Sequence, residues 1–217
     1  MNRHLNILLG TVLLIGAASD AAAGDDILLH KMIFEQKSFS ADYAQTVYSS
    51  DNRVLQEQSG QLFLLRPNYF RMDTVEPDSA TIVADGHDVY SYDEMLEQVT
   101  IYGFEQQVVN SPLMLIISDD SKLWNGYTVT RSAHDTFSVM PKSQNGNVQS
   151  MTVKFSEDNR LSELRFEEKD GKYSVYSFTP MKDSSLTPSD FKYVIPFFLF
   201  AWFLRKVRCN LPFLLSG

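Results

Sequence analysis

Hydrophobic and polar residues alternate along most of the chain from Phe39 to Thr179, and turn-forming residues interrupt the alternation often enough to mark about eleven strands. The first predicted strand, Phe39 to Val47, sets Phe39, Ala41, Tyr43 and Val47 on one face. Gln45 interrupts that face and needs a partner if it is buried. Further strands are predicted at 58–66, 69–75, 79–84, 88–92, 96–102, 127–131, 135–140, 148–155, 161–168 and 172–179. Asp85-Gly86, Asn145-Gly146, Glu157-Asp158-Asn159 and Asp170-Gly171 supply the turns. So many strands with such short connections predict a meandering antiparallel sheet curled on itself.

Three stretches depart from this period. Asp25 to Lys37 combines Ile27, Leu28, Leu29, Met32, Ile33 and Phe34 with Asp26, Lys31 and Glu35, the spacing of an amphipathic helix whose apolar face must be covered. Phe104 to Asp120 predicts a helix or helical turns starting near Ser111-Pro112, and Leu113 to Ile117 are five large apolar residues in succession. That run exceeds what one face of a surface helix needs, so this helix belongs in the interior. Thr187-Pro188 predicts a short helical turn, with a cap followed by proline at the first helical position.

The ends differ from the middle. Arg3 and His4, a mostly apolar stretch from Leu5 to Ala18, and Ala21-Ala22-Ala23 read as a secretory signal peptide over 1–23, cut after Ala23. The apolar stretch is shorter than the roughly 20 residues of a membrane-spanning helix. Residues 24–195 suit one domain. From 196 to 217 the chain turns aromatic and then basic, with Phe197 to Leu204 followed by Arg205-Lys206-Val207-Arg208. This atypical tail is too short to span a bilayer and is expected to stand outside the core function.

Composition narrows the chemistry. A formal net charge of -8 makes nucleic acid and anionic lipid headgroups poor main partners, since both draw on clustered Lys and Arg. Cys209 is the sole cysteine, so no disulfide forms within the chain and an exported fold must stand on packing. The four histidines are scattered without metal-ligand spacing, and no nucleophile elbow, phosphate loop or Cys-His couple is present. The carboxylates of Glu76, Asp78, Asp93, Glu94, Glu167 and Glu168 fall in turns or on polar strand faces. Neither an enzyme nor a cofactor is expected.

One charge sits in an oily setting. In Gln61-Leu-Phe-Leu-Leu-Arg-Pro-Asn-Tyr-Phe-Arg-Met72, Leu62, Leu64 and Arg66 share one face of a strand while Phe63 and Leu65 share the other. Pro67 favours an extended Arg66 and, with Asn68, turns the chain into the next strand of a hairpin. Taken alone, an arginine at a strand end is more often a solvated charge.

That segment, Ser38-Phe39-Ser40-Ala41-Asp42-Tyr43-Ala44-Gln45 before it and Ser111-Pro112-Leu113-Met114-Leu115-Ile116 after it resemble the LolA family of periplasmic lipoprotein carriers. The likeness extends from about residue 24 to about 195 and includes Asp85-Gly86, Pro141-Lys142 and Asn145-Gly146-Asn147 in the family's order. It implies an α+β fold: an unclosed antiparallel β-barrel capped by a helical lid and enclosing a hydrophobic cavity. It further implies a monomeric periplasmic chaperone that accepts acylated lipoproteins from the inner-membrane ABC transporter LolCDE, shields their acyl chains and passes them to the outer-membrane receptor LolB. No cysteine stands just after the signal region, where the lipid-anchored LolB would carry its acylated one.

By the same resemblance Arg66 matches the arginine that latches the lid, and Phe70 matches a phenylalanine tied to correct loading. Met72 stands where a tryptophan is common. Leu62, Leu64, Phe70, Met72, Met114, Ile116, Ile117, Phe34 and Tyr43 are the expected lipid-contacting residues, with ordinary core packing as the alternative for each. Two other functions compete. An RseB-like sensor on the same fold carries an additional domain, and a periplasmic lipid hydrolase needs a nucleophile and base that are not evident.

Overall fold

The computed structural model describes residues 19–104, 112–118, 120–143, 146–182 and 185–194. The N-terminal helix α1 spans Ser19–Glu35. It therefore begins inside the stretch read as a signal segment, whereas Asp25 was the expected start. Strands β1 (Ser38–Tyr48), β2 (Val54–Leu65), β3 (Tyr69–Glu76), β4 (Ala80–Asp85), β5 (Asp88–Asp93) and β6 (Gln98–Gly103) follow as a meander. Two short helices, α2 (Pro112–Ile117) and α3 (Ser121–Trp124), lead into β7 (Tyr127–Ala133), β8 (Thr136–Pro141), β9 (Val148–Phe155), β10 (Leu161–Glu168) and β11 (Tyr173–Pro180). A 3-10 turn at Pro188–Phe191 is the last described element, with the Asp190 carboxylate accepting from the Thr187 N–H at 2.7 Å.

All eleven strands join one antiparallel sheet in the order β6-β5-β4-β3-β2-β1-β11-β10-β9-β8-β7. Only the β1–β11 contact is non-local, so each strand pairs with its sequence neighbour and the two halves meet at β1. Among the described residues no pairing joins β6 to β7, which leaves the barrel unclosed. The sheet curls strongly. Leu64 of β2 and Phe155 of β9 are separated in the sheet by β1, β11 and β10, yet they line the same small pocket with Ile33 and Ile116.

The inner face is built by strand parity. Phe39, Leu64, Phe70 and Ala84 stand directly opposite one another across β1 to β4, and Ala41, Leu62, Met72 and Ile82 form the next row. These rows join Val129, Phe137, Val139, Met151, Val153, Phe155, Leu164 and Phe178 from the other half, and Leu29, Ile33 and Leu115 to Ile117 from the helices, in one buried cluster. Gln45 lies on this face among apolar neighbours and is satisfied by the amide of Gln58 on the paired strand.

Helical side chains pack into the concave face, and among the described residues the pocket they leave beneath α1 and α2 is about 20 Å³, room for a single water. A pocket for even a drug-sized ligand takes roughly 300–1,000 Å³. The buried side chains of Leu115, Ile116 and Ile117 occupy volume that a ligand there would need.

The outer face carries a second, smaller contact. Val83 is buried although it points away from the inner cluster, and Phe191 and Tyr193 cover that side by packing on Tyr69 (5.7 Å) and Tyr90 (5.4 Å). The strand β4 is therefore shielded on both faces.

At Gly60, opposite Thr74 and beside an irregularity in the β2–β3 pairing, the strands approach so closely that a Cβ would overlap the Asp73 carbonyl oxygen. Gly60→Ala must push backbone against backbone. A loss of about 1–3 kcal/mol is expected, read as a lower urea midpoint, and an unchanged midpoint would disprove the close approach.

Candidate functional site

The residues singled out in the sequence converge where the ends of α1 and α2 meet the β2–β3 hairpin. Alternation carries Leu62 and Leu64 inward on β2, and Arg66 follows at the start of the turn. The turn itself is made by a cis Arg66–Pro67 peptide and by Asn68 in the left-handed region, which asparagine tolerates well. The Arg66 N–H donates to the Lys37 carbonyl at 2.8 Å, tying the hairpin to the linker between α1 and β1.

The guanidinium bridges the helices. Its Nε donates to the Gln36 carbonyl at 3.1 Å, just beyond α1, and one terminal nitrogen donates to the Ile116 carbonyl at 2.6 Å and the Ile117 carbonyl at 3.2 Å, at the end of α2. Carbonyls at a helix C-terminus lack intrahelical partners and carry the negative end of the helix dipole. A fork of N–H donors with a fixed positive charge suits them well. The ring of Phe34 packs under the same guanidinium, 4.7 Å from its centroid, and is itself stacked with His30 at 4.2 Å.

Leu62, Leu64, Phe70, Met72, Ile116, Ile117 and Tyr43 are all buried in the inner cluster, and Phe34 packs half-buried against it. The side chain of Met114 falls outside the described residues. Only Leu64, Arg66 and Ile116 of the expected set line the pocket of about 20 Å³, where Ile33, Gln36, Phe39, Phe155 and Leu161 join them. Strand parity could have located Phe39, Phe155 and Leu161. For Gln36 the sequence holds no clear signal, because it sits in a stretch that reads as helix. In the structure the helix has ended, and its amide donates to the Asn159 carbonyl at 2.8 Å, in the β9–β10 turn.

Burial pushes the phenol of Tyr43 upward despite its 2.6 Å hydrogen bond with Thr74 Oγ1, and burial, with Tyr43 nearby, pushes Tyr176 well above the usual range. Both stay protonated across the physiological range, so neither serves as a base. Among the described residues no group of three His, Cys, Asp or Glu side chains could hold a metal ion. The site offers apolar walls and one multidentate cation aimed at backbone carbonyls.

An open antiparallel half-barrel whose apolar concave face is stoppered by helices, with an arginine across the stopper, is an architecture for sheltering apolar ligands. Residues 35–194 match the family described as Outer membrane lipoprotein carrier protein LolA. The outer-membrane lipoprotein carrier protein of Pasteurella multocida (strain Pm70) is 36% identical over 193 residues, covering 88% of this chain and 94% of that protein. The carrier of Aeromonas salmonicida (strain A449) is 34% identical over 194 residues with the same coverage, 88% and 94%. A solved structure described as an uncharacterized conserved protein from Thermus thermophilus shares the fold at a TM-score of 0.50 and 14% identity, covering 79% of this chain and 94% of that one. The chain belongs to the LolA family.

Proposed function

We propose that this protein is a periplasmic chaperone that takes acylated lipoproteins from the inner-membrane transporter LolCDE, shelters their acyl chains in its concave face and delivers them to the outer-membrane receptor LolB. It works as a monomer and without chemistry of its own. Residues 1–23 direct export and are then removed, and the tail from 196 onward takes no part. The observation that carries the proposal is the Arg66 bridge between the ends of α1 and α2, set over an apolar interior whose pocket beneath those helices is about 20 Å³.

The physical logic is a balance. Each acyl methylene removed from water contributes about 0.8 kcal/mol, enough in sum to hold a lipid anchor and too much to release without help. Reclosing the helices recovers the Arg66 bonds and the buried area of Leu115, Ile116 and Ile117, which offsets part of that gain and permits hand-off. Neither state then dominates outright.

The test is release of a lipoprotein from spheroplasts by the purified chain, followed by mass spectrometry of the complex. A chain ending at Ile195 is expected to release as much as the full chain. No release by either form, or turnover of a lipid ester in place of a bound acylated protein, would refute the carrier function.

A further inference from the structure

The two helices that stopper the barrel are not held alike. Apart from the Arg66 side chain, among the described residues three links hold α1 and the residues just past its end. Asp25 Oδ2, in the second turn of α1, accepts the backbone N–H of Arg131 on β7 at 2.8 Å. Gln36 just past its end bonds the β9–β10 turn, and two residues later the chain is already β1. The α2 helix is seated by the burial of Leu115, Ile116 and Ile117, but among the described residues the hydrogen bonds it receives from the sheet come from Arg66, and the Trp124 indole bond to the Ser118 carbonyl at 3.2 Å, just past its end, comes from within the same segment.

Asp25 has an unusual acceptor role. The strand β7 is an edge of the sheet, with β8 on one side only. Among the described residues its outward N–H groups have no strand to bond, and a carboxylate is a strong acceptor for one of them. With cleavage after Ala23, Asp25 is the second residue of the processed chain, where helices fray unless they are tied down. In the processed chain the carboxylate would also stand in the first turn, at the positive end of the helix dipole.

We propose that Asp25 is a positioning residue of the carrier: it moors the first turn of α1 in the processed chain to the free edge of β7, so that α1 is a fixed wall of the binding site and breaking the Arg66 bonds releases α2. The meaning of this division rests on the carrier function, but its test does not, because it needs no lipoprotein.

Hydrogen exchange of the empty processed chain distinguishes the two helices. In Arg66→Leu, amides of α2 are expected to exchange at least tenfold faster while those of Leu29 to Glu35 keep wild-type rates. In Arg66→Leu combined with Asp25→Ala, the α1 amides are expected to accelerate as well. Asp25→Asn, which keeps an acceptor oxygen in the same place, is expected to restore most of the α1 protection. The proposal is overturned if Arg66→Leu frees both helices equally, if Asp25→Ala leaves α1 unchanged in both backgrounds, or if the asparagine variant loses as much protection as the alanine. Spheroplast release by the wild-type chain, measured in parallel, reports on the carrier function separately.

Discussion

Arg66→Leu is expected to give a folded protein that takes up acyl chains and fails to give them up. The sheet does not need the guanidinium, because the β2–β3 hairpin is held by its own ladder and by the Arg66 backbone bond to Lys37. What the closed form loses is the bond set to Gln36, Ile116 and Ile117. A hydrogen bond from a charged donor is worth about 1.5–3 kcal/mol, and removing it strands acceptors at the end of α2. Every 1.4 kcal/mol taken from the closed form shifts the balance toward the loaded form about tenfold. Leucine also adds apolar wall. Retention of a fluorescent acyl probe should rise roughly tenfold to hundredfold, and transfer to receptor-bearing vesicles should fall accordingly. Equal transfer by mutant and wild type would show that the bridge does not control release.

Phe155→Ala is expected to produce the largest stability loss, about 3–5 kcal/mol. Phe155 is 1% exposed, packs edge-on against Phe137 at 6.1 Å and forms a wall of the pocket below Arg66. The penalty follows from the close packing around Phe155. A phenyl group deleted from close-packed surroundings leaves a void, whereas one deleted from the wall of an already hollow, hydrated site costs much less. Urea unfolding at constant m-value measures it, and a loss below about 1 kcal/mol would mean that the empty protein is open in solution.

The strands were legible because two signals agree along this chain: alternation of side chains and turn residues between the runs. All eleven are found where alternation places them, within a few residues at their ends. The exception is the start of β2, which reaches back to Val54. Residues Val54 to Glu57 are exposed on both faces, so no contrast marks them as strand. The helices were less legible. The expected helix or helical turns from Phe104 to Asp120 are met, among the described residues, by Phe104 and by α2, with 105–111 and 119 outside the described residues, and the short α3 follows at Ser121–Trp124.

Side-chain identity told even less about partners at a distance. Arg66 could be singled out for standing in an apolar stripe, and the family resemblance supplied what it bonds. Asp25 and Gln36 could not be singled out, since a carboxylate in a first helical turn and an amide near a helix end both suit solvent. Their partners lie 106 and 123 residues away. Closure of the interior was equally hidden, because the same leucines and phenylalanines line a hollow or fill it.

The indole of Trp124 gives this molecule its own optical reporter. It is buried, faces His30 of α1 edge-on at 6.1 Å, and is tethered to the carbonyl one residue beyond α2. The chain has two tryptophans, and the other, Trp202, lies in the tail. With Trp202 changed to phenylalanine, the emission wavelength of a single fluorophore would follow departure of the stopper in real time, with no dye attached and no label near the wall that the acyl chains touch.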